Sequence, residues 1–237
     1  MFLFVLWVLL VSVFTVFGAW YARRFGRPDA LIGLYVAFVL FANIAAVKIA
    51  VFDFGFARFF APAVVVIFSV TFLLTDIVNE KFGRKETQRM ILIAFASQVA
   101  VAGFSWIVLS LPPAPFWAGQ QALEGIFGAV PRVMVASWIA FLVSENLDAY
   151  IFDWFRKKTG GKMLWVRNVF SSIPAMVIDS ALFVTIAFFG IQPVLSLIIG
   201  QTAIKWIIAV INVPFMYLNR WILFKKYVVI LEERWLS

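Results

Sequence analysis

Neither cysteine nor histidine occurs among the 237 residues, and charged side chains make up only 14% of them. The first absence excludes disulfides and thiolate nucleophiles, and the second excludes haem ligation by imidazole. Together they remove the usual zinc ligand sets. Any proton that moves on this chain does so on carboxylates or lysines. The scarcity of charge excludes more, because a soluble domain is about one quarter charged and about half apolar, whereas 64% of this chain is hydrophobic. Water is not the solvent for most of such a surface. Crossing about 30 Å of hydrocarbon takes roughly 20 apolar residues, so the length holds about six or seven spans and no separate soluble domain.

The apolar runs predict an all-α polytopic membrane protein with spans at roughly 1–22, 30–52, 61–80, 90–110, 131–155, 164–190 and 193–222. The first run has no basic residues before it, and its cations Arg23, Arg24 and Arg27 follow it. It therefore reads as a retained helix rather than a signal peptide. The next cationic clusters are Lys81, Arg84, Lys85 and Arg89, then Arg156, Lys157, Lys158 and Lys162, then Arg220, Lys225, Lys226 and Arg234. Each falls two spans after the last, and the alternate connections 53–60, 111–130 and 191–192 carry only Arg58. The positive-inside rule then predicts the N-terminus outside and the C-terminus inside. Because the excess of 20 Lys and Arg over 12 Asp and Glu lies in interhelical clusters rather than on one basic face, it reports topology and not a nucleic-acid partner.

The longest outer connection holds Leu111-Pro112-Pro113-Ala114-Pro115-Phe116-Trp117 and a weakly amphipathic stretch from Gly119 to Val130. It is expected to be either an interfacial helix anchored by Trp117 or a lid over an outward mouth. Ala42, Ala46 and Ala50 stand at successive i+4 steps in span two, a small-residue strip that lets another helix approach closely. Packing within the bundle is the default reading. The other reading is contact with a second copy or with a coupling subunit.

A charge at the bilayer centre costs roughly 2.5 to 3.5 kcal/mol on insertion scales, so charged residues inside spans point inward and mark candidate sites. Span three ends with Asp76, Asn79 and Glu80 on one helix face, and span five carries Glu145, Asn146, Asp148 and Asp153. Glu145 lies about 15 Å from the basic cluster at 156 by helical rise, near mid-membrane. It has no cation within a turn of its own helix and so needs a partner across the bundle, a proton or a ligand. Glu80 and Asp153 are expected at the inner interface, where they can snorkel or pair with Lys81 or Arg156. Span six carries Asp179 and Ser180, span seven Gln201, Lys205 and Asn212, and span two Asn43 and Lys48. Asp179 and Lys205 sit at similar depth on consecutive antiparallel helices, either neutralising each other or meeting a ligand. Trp138, Trp206 and Phe141 are candidates to stack on a flat ligand.

Five ordered motifs carry a resemblance: Ala42-Asn43-Ile44-Ala45-Ala46-Val47-Lys48; Asp76-Ile77-Val78-Asn79-Glu80-Lys81-Phe82-Gly83-Arg84-Lys85; Leu111 to Trp117; Ser144-Glu145-Asn146-Leu147-Asp148; and Ile178-Asp179-Ser180-Ala181-Leu182-Phe183 through Ile186-Ala187-Phe188. Over residues 30–225 the chain resembles the queuosine-precursor transporter family, also called the vitamin uptake transporter family. The resemblance implies import of 7-deazaguanine precursors of modified tRNA bases across the cytoplasmic membrane. It also implies a six-helix core at 30–225, similar to the substrate-binding subunits of energy-coupling-factor importers, with residues 1–22 as an extra helix and 226–237 as a cytoplasmic tail. Family members are regarded as working alone, and no cofactor or metal is implied. Asp148 departs from the pattern, standing where many relatives carry Asn.

The residues fit such a cargo. A 7-deazaguanine presents N1–H and an exocyclic amine as adjacent donors and a carbonyl as acceptor. Glu145 and Asp179 are the candidate carboxylates; Asn43, Asp76, Asn79, Asn146, Asp148, Gln201 and Lys205 complete the candidate binding set. An intramembrane protease is the rival from another class, but the Gly-x-Gly-Asp element of the aspartyl type is absent, and serine and metal types need histidine. The second rival is a binding subunit that delivers a vitamin-like solute only when docked to an energy-coupling module.

Overall fold

The computed structural model describes residues 2–158 and 164–224. The elements, in order, are α1 (Phe2–Phe25), α2 (Asp29–Ala45), β1 (Ile49–Asp53), β2 (Arg58–Pro62), α3 (Val65–Phe82), α4 (Arg84–Ser110), α5 (Gln120–Phe127), α6 (Val130–Lys158), α7 (Leu164–Phe188) and α8 (Val194–Phe224). Four helical stretches, 3–25, 84–110, 120–144 and 194–211, are long and apolar enough to cross a bilayer, and three shorter apolar helices accompany them. The architecture is therefore mostly helical, as the apolar runs predict.

It departs from an all-α bundle at one place. The run expected to continue as helix to residue 52 stops at Ala45, and residues 49–62 form a β-hairpin. Ile49 pairs with Pro62, Val51 with Phe60 and Asp53 with Arg58. The cause is local: β-branched and aromatic residues fill both arms, and Gly55, at φ 85°, takes the left-handed conformation the turn needs. Asp53 seals the tip by accepting bonds from the Gly55 amide at 2.8 Å and from Arg58 Nε at 2.7 Å. In hydrocarbon, strand backbone is tolerated only against protein. Accordingly Phe52 and Ala61 pack with Val8 of α1 and with Ile204 and Ile208 of α8. Phe4 of α1 meets Phe52 and Phe54 edge-on.

Closest of all is Gly200. A Cβ at that position would collide with the Phe60 carbonyl oxygen, so glycine lets α8 touch the backbone of β2. Two ends of the bundle are thus distinct. The hairpin end is where α2 gives way to β1 and β2 leads into α3. The basic end carries Arg23 and Arg24 in the last turn of α1, Lys81 in the last turn of α3, and Arg84 at the start of α4.

The larger core runs through α1, α2, α3, α4, α6, α7 and α8 and includes Ala22, Leu31, Leu74, Met90, Ala136, Val184 and Leu197. Small residues let these helices approach, since no hydrophobic driving force separates helix from lipid. Ala42 and Ala46 serve inward packing: they are 2% and 1% exposed. Ala50 lies on β1, so the three alanines do not form a single helical strip. The segment 111–130 contributes α5, which has no buried residue, with Trp117 and Phe116 exposed.

Candidate functional site

Under the hairpin lies a cavity of about 20 Å³, bounded by α2, β2, α3, α7 and α8, room for about one water molecule as the helices now stand. Its polar lining is Asn43, Gln201 and Lys205, and its aromatic lining is Phe68 and Phe183. These two rings stack on each other with centroids 6.4 Å apart. Neither was a stacking candidate in the sequence, Phe183 standing only within the fifth motif; both lie in long apolar runs, where nothing distinguishes them from lipid-facing bulk. The expected stackers are elsewhere occupied. Trp138 packs on Phe95 at 4.5 Å, Phe141 stacks on Phe72, and Trp206 is 42% exposed.

Behind the cavity wall Lys205 Nζ donates to Asp179 Oδ2 in an ion pair whose side chains are both 2% exposed. By helical rise Asp179 lies about 14 Å, and Lys205 about 17 Å, from the helix ends that face the hairpin. Neutralisation across two antiparallel helices is thereby realised. Ser144 of α6 donates to the other oxygen, Asp179 Oδ1, at 3.4 Å. The ammonium also stands over the Phe68 ring, 5.6 Å from its centroid, a cation–π arrangement that strengthens with desolvation. Removing two charges from water is costly unless they pair; this pair meets that condition and holds α6, α7 and α8 together.

Asn43 is 3% exposed and donates from Nδ2 to Gln98 Oε1 on α4 at 2.6 Å, and the same oxygen accepts the indole N–H of Trp138 at 3.0 Å. Gln201, 4% exposed, has its Oε1 buried without a partner among the described residues, as do the hydroxyls of Ser180 and Thr202. Buried polar atoms normally find partners, so an open amide in a cavity wall is a group available to a ligand.

Of the other expected site residues, the described ones are not brought here. Asn79 is exposed at the end of α3. Asn146 is exposed on α6 and donates to the Leu142 carbonyl one turn back, at 2.6 Å. The side chains of Asp76, Glu80, Glu145, Asp148, Asp153 and Asn212 lie outside the described residues. Lys48 falls in the turn after α2 rather than in a span. Arg132, in the first turn of α6, was not anticipated. It binds the carbonyls of Ile186 and Phe189 at 2.7 and 2.8 Å, satisfying the open end of α7. Among the described residues no group of three or more acidic residues could hold a metal ion.

Apolar helices of spanning length, packed around buried amides and a buried ion pair, define a multi-pass membrane protein. Comparison with known sequences narrows the class. Residues 62–219 match the family model described as "Putative vitamin uptake transporter", and the chain belongs to that family. A Bacillus subtilis (strain 168) protein named "Probable queuosine precursor transporter" is 29% identical over 215 residues, covering 89% of this chain and 92% of the relative. The "Queuosine precursor transporter" of Escherichia coli (strain K12) is 29% identical over 121 residues, 51% of this chain and 52% of the relative. A Haemophilus influenzae relative of the same kind, named "Probable queuosine precursor transporter", is 26% identical over 122 residues. No solved structure matches the chain.

Proposed function

We propose that this protein imports queuosine precursors, flat 7-deazaguanine bases such as 7-cyano-7-deazaguanine or 7-aminomethyl-7-deazaguanine, across the cytoplasmic membrane for the salvage of modified tRNA bases. The observation that carries the reading is that a relative aligned over nearly the whole chain is named for this cargo. The chemistry of the cavity lining supports it, with the helices parting to admit the solute: buried amides Asn43 and Gln201 offer hydrogen bonds to the edge of a base, and Phe68 and Phe183 offer apolar faces. Asp179 and Lys205 form the charged wall, and Glu145 is the further carboxylate for the base's donors. The basic clusters favour an orientation with the hairpin end outside and the C-terminus inside, so that the cavity opens first to external solute.

Uptake of labelled 7-cyano-7-deazaguanine into liposomes containing only this chain tests the proposal. Accumulation or facilitated entry is the expected result. Binding without entry would instead favour a subunit that needs a separate energy-coupling module. Unchanged binding after both Glu145→Gln and Asp179→Asn would remove those carboxylates from the site.

A further inference from the structure

Gln98 lies outside the cavity, yet its chemistry decides what Asn43 can offer inside it. An indole N–H only donates, so the Gln98 atom 3.0 Å from Trp138 Nε1 must be the oxygen. Asn43 approaches that same oxygen at 2.6 Å and must therefore present its NH₂. Two donors occupy the oxygen's two lone-pair directions. Asn43 is thereby fixed with Nδ2 toward α4, leaving Oδ1 as the acceptor it can turn to a solute in the cavity that it lines. All of this is buried: Asn43 is 3% and Gln98 5% exposed. Inside the membrane no bulk water competes for these groups, and the alternative amide orientation would set Asn43's oxygen against that of Gln98.

We infer that Gln98, locked by Trp138, is a positioning residue that fixes Asn43 as a hydrogen-bond acceptor and so makes the cavity select solutes presenting an N–H donor at that point over solutes presenting an acceptor. The inference rests on the import reading for the choice of probes. In 7-cyano-7-deazaguanine the ring nitrogen N1 carries a hydrogen beside the 2-amino group; in 7-cyano-7-deazaadenine N1 is a bare acceptor. A cavity with a fixed acceptor holds the first and repels the second.

Affinities of the purified full chain for these two bases, measured by ligand-induced melting shift and by titration calorimetry, test this. The native protein should prefer the guanine form. In Gln98→Leu the Asn43 amide is free to turn over, and the preference should fall about tenfold, the scale of one buried hydrogen bond. Gln98→Glu keeps an acceptor oxygen in either protonation state and should retain the preference. Trp138→Phe, the milder change if Gln98→Leu does not fold, frees the Gln98 amide and should lower the preference partway. A merely structural role would weaken both bases alike, so equal weakening in the folded variants, or an unchanged preference, overturns the inference. If the native protein binds both bases equally, the inference falls and the import reading stands; if it binds neither, both fall.

Discussion

Asn43 and Asn146 are the same residue type on apolar helices, and they meet opposite fates. Asn43, near the hairpin end, reaches across the bundle to a partner on another helix. Asn146, exposed on α6, folds back onto the carbonyl four residues earlier on its own helix. The local bond satisfies the amide cheaply and ties nothing together, as Ser, Thr and Asn do on many helices. The crossing bond fixes both an orientation and a neighbour. The same contrast holds for charge. Asp179 and Lys205 pair between α7 and α8 in full burial, whereas the Arg89–Glu86 pair near the basic end spans one turn of α4 with the arginine 62% exposed. The bonds that cross between helices organise the interior, and Asn219, fully buried on α8, adds one by reaching Thr15 of α1 at 3.5 Å; the Asn146 and Arg89 bonds, each within one turn, lie on the surface.

The largest expected effect comes from breaking the buried pair on one side. Lys205→Leu or Asp179→Leu leaves an uncompensated charge and should cost about 3 to 5 kcal/mol of stability, read as a fall in the unfolding midpoint in detergent. The double substitution should recover most of that loss while failing to restore solute binding. Recovery of binding as well would show the pair to be structural only. The two asparagines sharpen the contrast on a smaller scale. Asn43→Leu should cost about 1 to 2 kcal/mol by stripping one donor from Gln98, while Asn146→Leu should stay within about 0.5 kcal/mol. Equal losses would dissolve the distinction between the crossing bond and the local one.

The smallest effect lies at the hairpin tip, outside the helical spans. The Gly55 amide, with Arg58 beside it, holds the Asp53 carboxyl below its ordinary value of 3.8. A depressed carboxylate contributes stability above its unfolded value, and that contribution fades as pH falls through the lower folded value. Asp53→Asn should therefore lower the unfolding midpoint slightly at pH 6 and leave it unchanged near pH 2. An equal shift at both would assign the effect to something other than this titration.

Much of this was legible in the residues, for identifiable reasons. The apolar runs mark a mostly helical membrane protein because a bilayer enforces long apolar segments. Asp179 and Lys205 were matched by counting residues from helix ends, since a constant rise converts sequence into depth. Asn43, Gln201 and Lys205 stood out as polar residues in apolar runs. The hairpin did not, because Ile49 to Asp53 continues the apolar run of α2, and a short apolar stretch reads equally as helix or strand. Gly55 and the aromatic, β-branched flanks were the available signals. Gln98 was passed over as one uncharged polar residue in span four; its role depends on Trp138, 40 positions away, and no spacing rule links them. Phe68 and Phe183 became cavity walls only through the packing of α3 on α8 and α7.

Residues 49–62 lie in the first third of the chain, yet what they rest on is at its two extremes, Phe4 and Val8 near the start and Gly200, Ile204 and Ile208 near the end. A chain made from its N-terminus delivers α1 and the hairpin long before α8 exists. Until the last helix enters the bilayer, β2 has no backbone to press against and the space beneath it has no Gln201 or Lys205. The candidate chamber is thus a late product of biogenesis, assembled when α8 slides under a roof that has been waiting for it.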